Sequence, residues 1–369
     1  MRELVIDLGA IAHNYQSMKS RFGTKVLAVV KADAYGHGMV EVARALEAAG
    51  ADAFGTADVQ EALLLRTAGI KTDILAWLHD PQDDFVEAVA RDVSLGIANL
   101  EQLGRAQRAA EVSGKTAKLH LKIDTGLGRN GATAAEWSHL LDAAALAQTT
   151  GAIKVVGIFS HLSGTSEADD LKQIERFEGA ISQAVAAGIR AELIHLTASD
   201  GAIAYPQAHF NMVRVGIALY GLDPFSANRA SEYGLTPAMT AKAQISQVKR
   251  VPAGQGVSYG YLHTTTAETT LALVPVGYAE GLPRNATGNA SVSINGKYYK
   301  ILSRVAMDQF VLDVGNDDVK VGDEVLLFGD PAAGAPSVDN LADACSTINY
   351  EIVTRMGGRF KRVYLGAGE

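Results

Sequence analysis

The sequence lacks most features that would place it outside the ordinary globular proteins. It has one cysteine, Cys345, which cannot form an internal disulfide. No apolar run reaches the ~18 residues of a membrane-spanning helix, and the first residues lack a basic segment followed by a long apolar one. No dense lysine and arginine run occurs and the formal net charge is −8, which argues against nucleic acid or an anionic membrane as the main partner. We therefore expect a cytoplasmic protein.

Length and composition predict more than one domain. The chain has 369 residues, of which 48% are hydrophobic and 20% charged, the makeup of a soluble protein with a sizeable core. The pattern of predicted elements changes after about residue 224. We expect an N-terminal strand (1–8), a barrel (9–235) and a C-terminal β domain (236–369).

Eight short β-rich runs alternate with alanine-rich helical stretches in the first part of the chain. The runs are 25–30, 52–57, 73–78, 93–98, 117–123, 155–160, 192–197 and 211–220. Eight strands joined by helical crossovers predict an α/β fold, a closed parallel (β/α)8 barrel of the TIM type. An open doubly wound sheet is the competing architecture, but no glycine fingerprint of a dinucleotide site follows the first run.

The C-terminal third has a different pattern, in which strand-like runs follow one another with few helical stretches between them. Residues 224–237 have the composition of a linker. Asn295-Gly296 stands between two alternating runs and is a strong hairpin signal. A mostly β domain is therefore predicted here.

A lysine closes the first apolar run of the barrel, in KVLAVVKADAYGHG (25–38). At the carboxyl end of a barrel strand, a desolvated lysine loses its proton easily and can form a Schiff base with a carbonyl cofactor. The alternative is a Lys31 side chain that merely reaches solvent. Other polar residues fall at or near the ends of later strands, where barrel enzymes gather their function; these are Arg129, His161, Ser199 and Arg214.

Several of these residues have alternative structural explanations. Arg214 stands between valines, so it is expected to point inward and to need an acceptor, which a structural ion pair could also supply. Ser199 could cap the helix that begins at DGAIAY, and this role could coexist with a functional one. On the fifth strand, His120, Lys122 and Asp124 alternate with apolar residues and are expected to face inward.

The segment VVKADAYGHG resembles the cofactor-lysine segment of alanine racemases, which use pyridoxal 5'-phosphate (PLP). Further segments similar to that family follow in the family's order and extend over nearly the whole chain. They are KIDTGLGRNG (122–131), FNMVRVGIALYG (210–221), VSYG (257–260), PVGYAEGLPR (275–284), RVAMDQ (304–309) and INYE (348–351).

The resemblance implies a role for each barrel residue. Lys31 would hold PLP covalently, and Arg214 would hydrogen-bond its pyridine nitrogen. The implied phosphate contacts come from Tyr35, Ser199, Gly216 and Ile217. A further tyrosine of the family aligns with Gly358, so that contact departs from the family pattern.

Arg129 would lie near the phenolic oxygen of PLP and the substrate carboxylate. The resemblance also implies that Lys122 is carbamylated by carbon dioxide and pairs as an anion with Arg129. An unmodified Lys122 bonded to Asp124 is the alternative. No metal site is expected.

The resemblance further implies a homodimer with a shared active site. By itself, Tyr259 would usually be a core residue; in the family it enters from the partner subunit, faces Lys31 and acts as the second base, with His161 linking it to Arg214. Met307, Asp308 and Tyr278 would lie near the substrate, and the N-terminal strand would pack with the β domain.

The implied function is PLP-dependent interconversion of L- and D-alanine, which supplies D-alanine for cell-wall peptidoglycan. A broader-specificity racemase acting on serine or other amino acids remains an alternative. Two rivals are less well supported. Arg214 argues against a PLP-dependent decarboxylase of the same fold, and residues 240–369 argue against a non-catalytic PLP-binding barrel.

Overall fold

The computed structural model describes residues 1–225, 227 and 229–366, and the chain divides into two compact units. The barrel unit comprises Tyr15–Ala34 and Met39–Gly216. The β unit comprises Met1–Asn14, Tyr35–Gly38 and the chain from Ile217 onward.

The barrel unit contains eight parallel strands. The first strand of the chain, β1 (Arg2–Asp7), belongs to the β unit. The barrel strands are β2 (Lys25–Val29), β3 (Ala53–Thr56), β4 (Ile74–Ala76), β5 (Val93–Ile97), β6 (Ala117–Lys122), β7 (Ile153–Phe159), β8 (Leu193–His195) and β9 (Met212–Val215). Neighbours in sequence are neighbours in space from β2 to β8, and β9 pairs with β2. At the remaining seam, the Arg214 N–H donates to the Thr197 carbonyl at 3.1 Å. The predicted α/β barrel is confirmed.

Helices follow the barrel strands, as the alternation of patterns predicted. They are α1 (Leu8–Phe22), which precedes β2, and α2 (Met39–Ala48), α3 (Val59–Thr67), α4 (Phe85–Ala90), α5 (Leu100–Ser113), α6 (Ala134–Thr149), α7 (Glu167–Ala186) and α8 (Ser199–Ala204). Local chemistry sets several of their starts. Thr133 and Glu136 form a reciprocal capping box at α6, and the Ser166 hydroxyl accepts the Asp169 N–H at α7. Most residues of β2 to β7 and β9 are buried, as expected of strands covered on both faces.

The last barrel strand is shorter than the sequence predicted. The run 211–220 was expected to be one strand, but the strand ends at Val215, and Ile217–Tyr220 forms a 3-10 turn. The strand ends because the Gly216 N–H donates to the Ser199 hydroxyl at 3.1 Å instead of to a neighbouring strand.

The β unit is mostly β, as predicted. Its strands are β1, β10 (Met239–Gln244), β11 (Gln247–Val251), β12 (Gly256–Val257), β13 (His263–Thr264), β14 (Thr269–Val274), β15 (Ser291–Ile294), β16 (Lys297–Lys300), β17 (Phe310–Gly315), β18 (Glu324–Phe328) and β19 (Lys361–Leu365). Six form one sheet in the order β16-β15-β18-β10-β1-β19, and β11, β14 and β17 form a second. Asn295 and Gly296 both have positive φ, 50° and 77°, which confirms the hairpin.

The β unit also contains two short helices that the sequence pattern did not reveal, α9 (Val338–Ala344) and α10 (Asn349–Arg355). Short 3-10 turns occur at Pro206–Ala208, Ala230–Tyr233, Tyr259–Tyr261, Tyr278–Glu280, Arg284–Ala286 and Pro331–Ala333. Among the residues that the structure describes, every helix is too short or too polar to span a bilayer.

A left-handed turn follows β2 and begins immediately after Lys31. Ala32, Asp33 and Ala34 have φ of 53° to 54° and ψ of 44° to 51°, a conformation that costs about 1–2 kcal/mol for each non-glycine residue. Hydrogen bonds offset this cost. Ala34 N–H donates to the Val30 carbonyl at 2.8 Å, and Ala32 N–H donates to the Glu61 carboxylate at 2.7 Å. The chain therefore leaves the Lys31 position along a path that a right-handed helix could not take.

We expect glycine to be tolerated within this turn. Ala32 is exposed, so Ala32→Gly relieves strain of about 1 kcal/mol while adding unfolded-state entropy worth about 0.5–1 kcal/mol; the free energy of unfolding should therefore change little. The control, Ala145→Gly within α6, should lose about 1 kcal/mol. Urea unfolding of both variants at equal protein concentration tests this. A loss in Ala32→Gly as large as in the control would show that the turn is not strained.

Candidate active site

Apart from His120, which lies within β6, the barrel residues singled out from the sequence belong to the carboxyl-terminal side of the barrel strands. Lys31 follows β2, Lys122 ends β6, and Arg214 lies in β9. His161 follows β7 and Ser199 begins α8, just beyond β8. This is the side of the strands on which barrel enzymes carry their active sites.

Arg214 is the most deeply enclosed charge of this group, with an exposed fraction of 5%. One terminal nitrogen donates to Nδ1 and the carbonyl oxygen of His195 at 3.0 and 3.2 Å. The other faces the Ser160 and Leu196 carbonyls at 2.8 and 2.7 Å and His161 Nδ1 at 3.0 Å. These acceptors are neutral, and burial lowers the Arg214 pKa to about 10.

No carboxylate of the described residues pairs with Arg214, so the ion-pair alternative is wrong. A buried cation held only by neutral dipoles is costly, since carbonyls and imidazoles recover only part of its hydration energy. Both terminal nitrogens are occupied, which leaves the Nε–H as the donor available to a bound molecule.

Arg214 determines where the protons of three histidines lie. A guanidinium only donates, so Nδ1 of His195 and of His161 must accept, and we assign both rings as neutral with the proton on Nε2. His195 Nε2–H then donates to His120 Nδ1 at 2.9 Å. Burial, followed by the charge of Arg214, lowers the pKa of His120 to about 3 and that of His161 to about 2.

The backbone of β7 makes room for this row of rings. Gly157 lies against His120, and a Cβ at that position would overlap the imidazole. The register between β6 and β7 shifts between Leu119 and His120, which brings Gly157 opposite the histidine. Phe159 stacks on His195 with ring centroids 4.9 Å apart and planes at 10°. Packing thus orients the acceptors of Arg214.

Two lysines share this positive environment. Burial lowers the pKa of Lys31, and the charges of Arg129 and Arg214 lower it further. Burial, then Arg214 and Arg129, lowers the pKa of Lys122 to about 8. The Asp124 carboxylate accepts the N–H groups of Gly126 and Gly128 at 2.9 and 3.2 Å and forms no hydrogen bond with Lys122. The expected alternative, Lys122 bonded to Asp124, is therefore wrong.

Ser199 does not cap α8. Ala198 occupies the cap position without a side-chain hydrogen bond, and the Ser199 hydroxyl accepts the Gly216 N–H instead. The capping interpretation is wrong because the hydroxyl lies within reach of the chain that leaves β9. Because the hydroxyl oxygen accepts from Gly216, the Ser199 hydroxyl keeps its own proton as a donor for a bound anion.

The remaining predicted residues belong to the β unit. The Tyr35 ring packs against Tyr220 at 4.9 Å between centroids. Ile217 is buried, whereas Tyr259 is 71% exposed and is not a core residue. Gly358 has φ of 60°, and a Cβ there would collide with the Ala279 carbonyl oxygen, so the backbone at this position favours glycine.

Tyr278, Met307 and Asp308 come together within the β unit. The Tyr278 N–H donates to the Ala306 carbonyl at 3.1 Å, and the Asp308 carboxylate accepts from Arg359 at 2.8 Å. The side chains of Met307 and Tyr278 are 54% and 45% exposed. Among the described residues no cluster of histidine, cysteine and carboxylate side chains is suited to a metal ion.

Sequence reasoning missed His195 and Arg359. His195 interrupts the apolar run ELIHLT, and an imidazole inside a buried strand was the available signal. Arg359 lies in a polar loop, and nothing in its sequence neighbourhood distinguishes it from a surface arginine.

We expect Gly157 to be needed for the histidine row. Gly157→Ala should lower the free energy of unfolding by about 1–3 kcal/mol, because the added methyl group must displace the His120 ring in a packed core. Gly179→Ala is the matched control. Gly179 lies exposed within α7 with open space around its Cα, so that change should stabilise the protein by about 1 kcal/mol. Denaturant unfolding measures both, and equal effects would contradict the packing argument.

The chain matches two models of protein families in succession. Residues 6–224 match "Alanine racemase, N-terminal domain" and residues 238–364 match "Alanine racemase, C-terminal domain". It is 47% identical to an alanine racemase of Frankia casuarinae over 366 residues, which cover 98% of this chain and 95% of that one. It is 44% identical to an alanine racemase of Mycolicibacterium smegmatis over 378 residues, with 100% and 95% covered.

Solved structures agree with these matches. The alanine racemase of D-cycloserine-producing Streptomyces lavendulae superposes with a TM-score of 0.96 at 42% identity, covering 99% of this chain and 97% of that one. The alanine racemase of Bacillus anthracis with bound L-Ala-P gives 0.89 at 32% identity, covering 100% and 96%. Both domains, their order and nearly the full length are shared, and the chain belongs to the alanine racemase family, a family of isomerases.

Proposed function

We propose that this protein interconverts L- and D-alanine with PLP as its cofactor, and that it does so with a base on each face of the substrate. The observation that carries the proposal is the placement of four cations, Lys31, Lys122, Arg129 and Arg214, at or beyond the carboxyl-terminal side of the barrel strands. Burial first, and then the charges of the two arginines, lower the pKa values of both lysines. Such a site favours the binding of anionic ligands, such as a phosphate group or an amino-acid carboxylate.

The residues fit PLP at three places. Lys31 offers an amine of lowered pKa to a carbonyl group. The Ser199 hydroxyl and the neighbouring Gly216 suit a phosphate, and the resemblance adds Tyr35 and the backbone of Ile217. The remaining N–H of Arg214 suits a ring nitrogen. When bound, PLP supplies an electron sink that makes the Cα proton of an attached amino acid removable.

Arg214 influences which reaction follows. Because a guanidinium donates and cannot accept, it holds a ring nitrogen in the unprotonated state, and the sink is then weaker than one paired with a carboxylate. A weaker sink favours prompt return of the proton to Cα over competing reactions. This supports a racemase over a decarboxylase.

Racemisation exchanges the Cα proton between the two faces of Cα. A base on each face does this without the substrate turning over or one base swinging across. Lys31 serves one face, since its lowered pKa increases the fraction of neutral amine near neutral pH. Tyr259 of the partner subunit serves the other. His161 carries its proton on Nε2 by the assignment above, so this N–H can donate to a phenolate oxygen and support the tyrosine as a base.

A homodimer is supported by the surface of the β unit. Large apolar or aromatic side chains are exposed there, namely Tyr259, Tyr261, Leu262, Tyr278 and Met307. Exposed aromatic groups of this size are typical of surfaces that another protein covers. A second copy would cover them and exclude water from Tyr259.

The D-alanine formed would serve cell-wall peptidoglycan synthesis in the cytoplasm.

We further assign a carbamate to Lys122, with Arg129 as its partner. A carbamate forms only from a neutral amine, and the Lys122 pKa of about 8 provides one under mildly alkaline conditions. The modification replaces a cation by an anion among three other cations, which relieves repulsion.

The carbamate is tested with 13C-labelled bicarbonate. A carbamate signal should appear in the 13C NMR spectrum of the protein, weaken as the pH falls well below 8 because the protonated amine cannot react, and vanish in Lys122→Met. Lys118→Met, which removes a partly exposed lysine of the same strand, should retain it. A signal that survives in Lys122→Met would place the carbamate elsewhere.

The shared site is tested by complementation. The PLP-loaded protein should racemise L-alanine in a chiral assay, and Lys31→Ala and Tyr259→Phe should each be nearly inactive because every site lacks one base. Co-expression of the two variants should restore about a quarter of wild-type activity, since roughly half of the dimers are mixed and each has one intact site. No recovery despite proven heterodimers would refute the cross-subunit mechanism. A wild type that turns over serine but not alanine would refute the substrate.

A further inference from the structure

Two turns of the β unit are joined through their backbones. We call them the Tyr278 turn (residues 277–281) and the Met307 turn (residues 306–309). The Ala306 carbonyl accepts the Tyr278 N–H at 3.1 Å, and the Met307 carbonyl accepts the Ala279 N–H at 3.0 Å. Gly277 allows this approach, because a Cβ there would collide with both carbonyl oxygens.

The direction of two further N–H groups follows from these bonds. In a trans peptide the carbonyl and the following N–H point in opposite directions, and the described chain has no cis peptide. The carbonyls of Ala306 and Met307 point toward the Tyr278 turn, so the N–H groups of Met307 and Asp308 both point away from it. Two successive N–H groups directed outward form a site that suits a carboxylate.

Arg359 connects both turns from the side. Its Nε–H donates to the Glu280 carboxylate and its terminal nitrogen donates to Asp308 at 2.8 Å. Glu280 is fully buried, and its other carboxylate oxygen accepts the Gly277 N–H at 2.9 Å. A buried carboxylate needs a partner charge, and Arg359 forms the only ion pair of Glu280 among the described residues.

We infer that Arg359 is a positioning residue for substrate: through Glu280 and Asp308 it holds the Met307 turn so that its two outward N–H groups receive the substrate carboxylate. This inference rests on the proposed function. Loss of Arg359 would leave Glu280 buried without its partner and Asp308 free to rotate. The Met307 turn would then lose its side-chain anchor and be held to the Tyr278 turn by backbone hydrogen bonds alone.

The test compares Arg359→Met with Arg355→Met. Arg355 also pairs with a glutamate, Glu351, but on the exposed side of α10, so its loss should leave kinetics unchanged. Arg359→Met should raise the KM for alanine and the inhibition constant of propionate, which offers a carboxylate without an amine, by about tenfold to a hundredfold. The kcat should fall much less, and Arg359→Lys should recover part of the affinity. Unchanged constants in Arg359→Met would overturn the inference.

Hydrogen exchange provides a readout that does not depend on activity. The amides of the Met307 turn should exchange faster in Arg359→Met than in Arg355→Met, and equal rates would overturn the inference. If the wild type fails to racemise alanine, the proposed function falls, and this comparison still decides whether Arg359 anchors the turn. If Arg359→Met does not fold, Asp308→Asn, which leaves the ion pair between Arg359 and Glu280 in place, should show smaller changes in the same direction. No change in Asp308→Asn would equally refute the inference.

Discussion

The active site depends on one costly arrangement, a guanidinium buried in the barrel without a carboxylate. Arg214 is held by carbonyl oxygens that follow β7 and β8 and by two imidazoles. The Ser160 and Leu196 carbonyls lie just beyond the ends of β7 and β8, so they accept from Arg214 and not from a neighbouring strand. A single counter-ion would hold the cation more simply, but it would also neutralise the field that reaches Lys31 and Lys122.

Several features of the surrounding structure are linked to the burial of Arg214 without a carboxylate. Neutral imidazoles can accept from Arg214 at Nδ1 only when their proton is on Nε2. In this tautomer the Nε2–H of His195 donates to His120, and Gly157 leaves space for the His120 ring. Burial makes both lysines less basic, and the Arg214 charge, which has no ion-pair partner, lowers their pKa values further. Stability is thus given up locally, and the site keeps a buried positive charge without an ion-pair partner.

Local patterns predicted the framework well and the contacts poorly. Apolar runs located all eight barrel strands, and the turn chemistry of Asn295-Gly296 located a hairpin, because these signals depend on neighbours in sequence. Arg214 was correctly expected to point inward, yet its acceptors come from two other strands and had no local signal. Ser199 was misread as a cap since its hydroxyl has a partner far away in sequence.

The left-handed turn was invisible for a similar reason. Alanine favours right-handed helices, and nothing in KADAY indicates positive φ. Glu61, on a different helix, accepts the Ala32 N–H and supports the turn. Likewise, α9 and α10 are too short for helical periodicity to stand out from the strand-like runs around them.

The position of β1 bears on how the chain folds during synthesis. This strand lies between β10 and β19 in the six-stranded sheet, with Glu3 opposite Lys242 on one side and Lys361 on the other. A ribosome therefore releases the first strand long before either partner exists, and the complete set of barrel strands emerges in the interval. The parallel pair of β1 and β19 is a contact of very high sequence separation, which is slow to form. Until then β1 is an unpaired strand with Leu4 and Ile6 on one face, so the nascent chain carries an aggregation-prone edge for most of its translation.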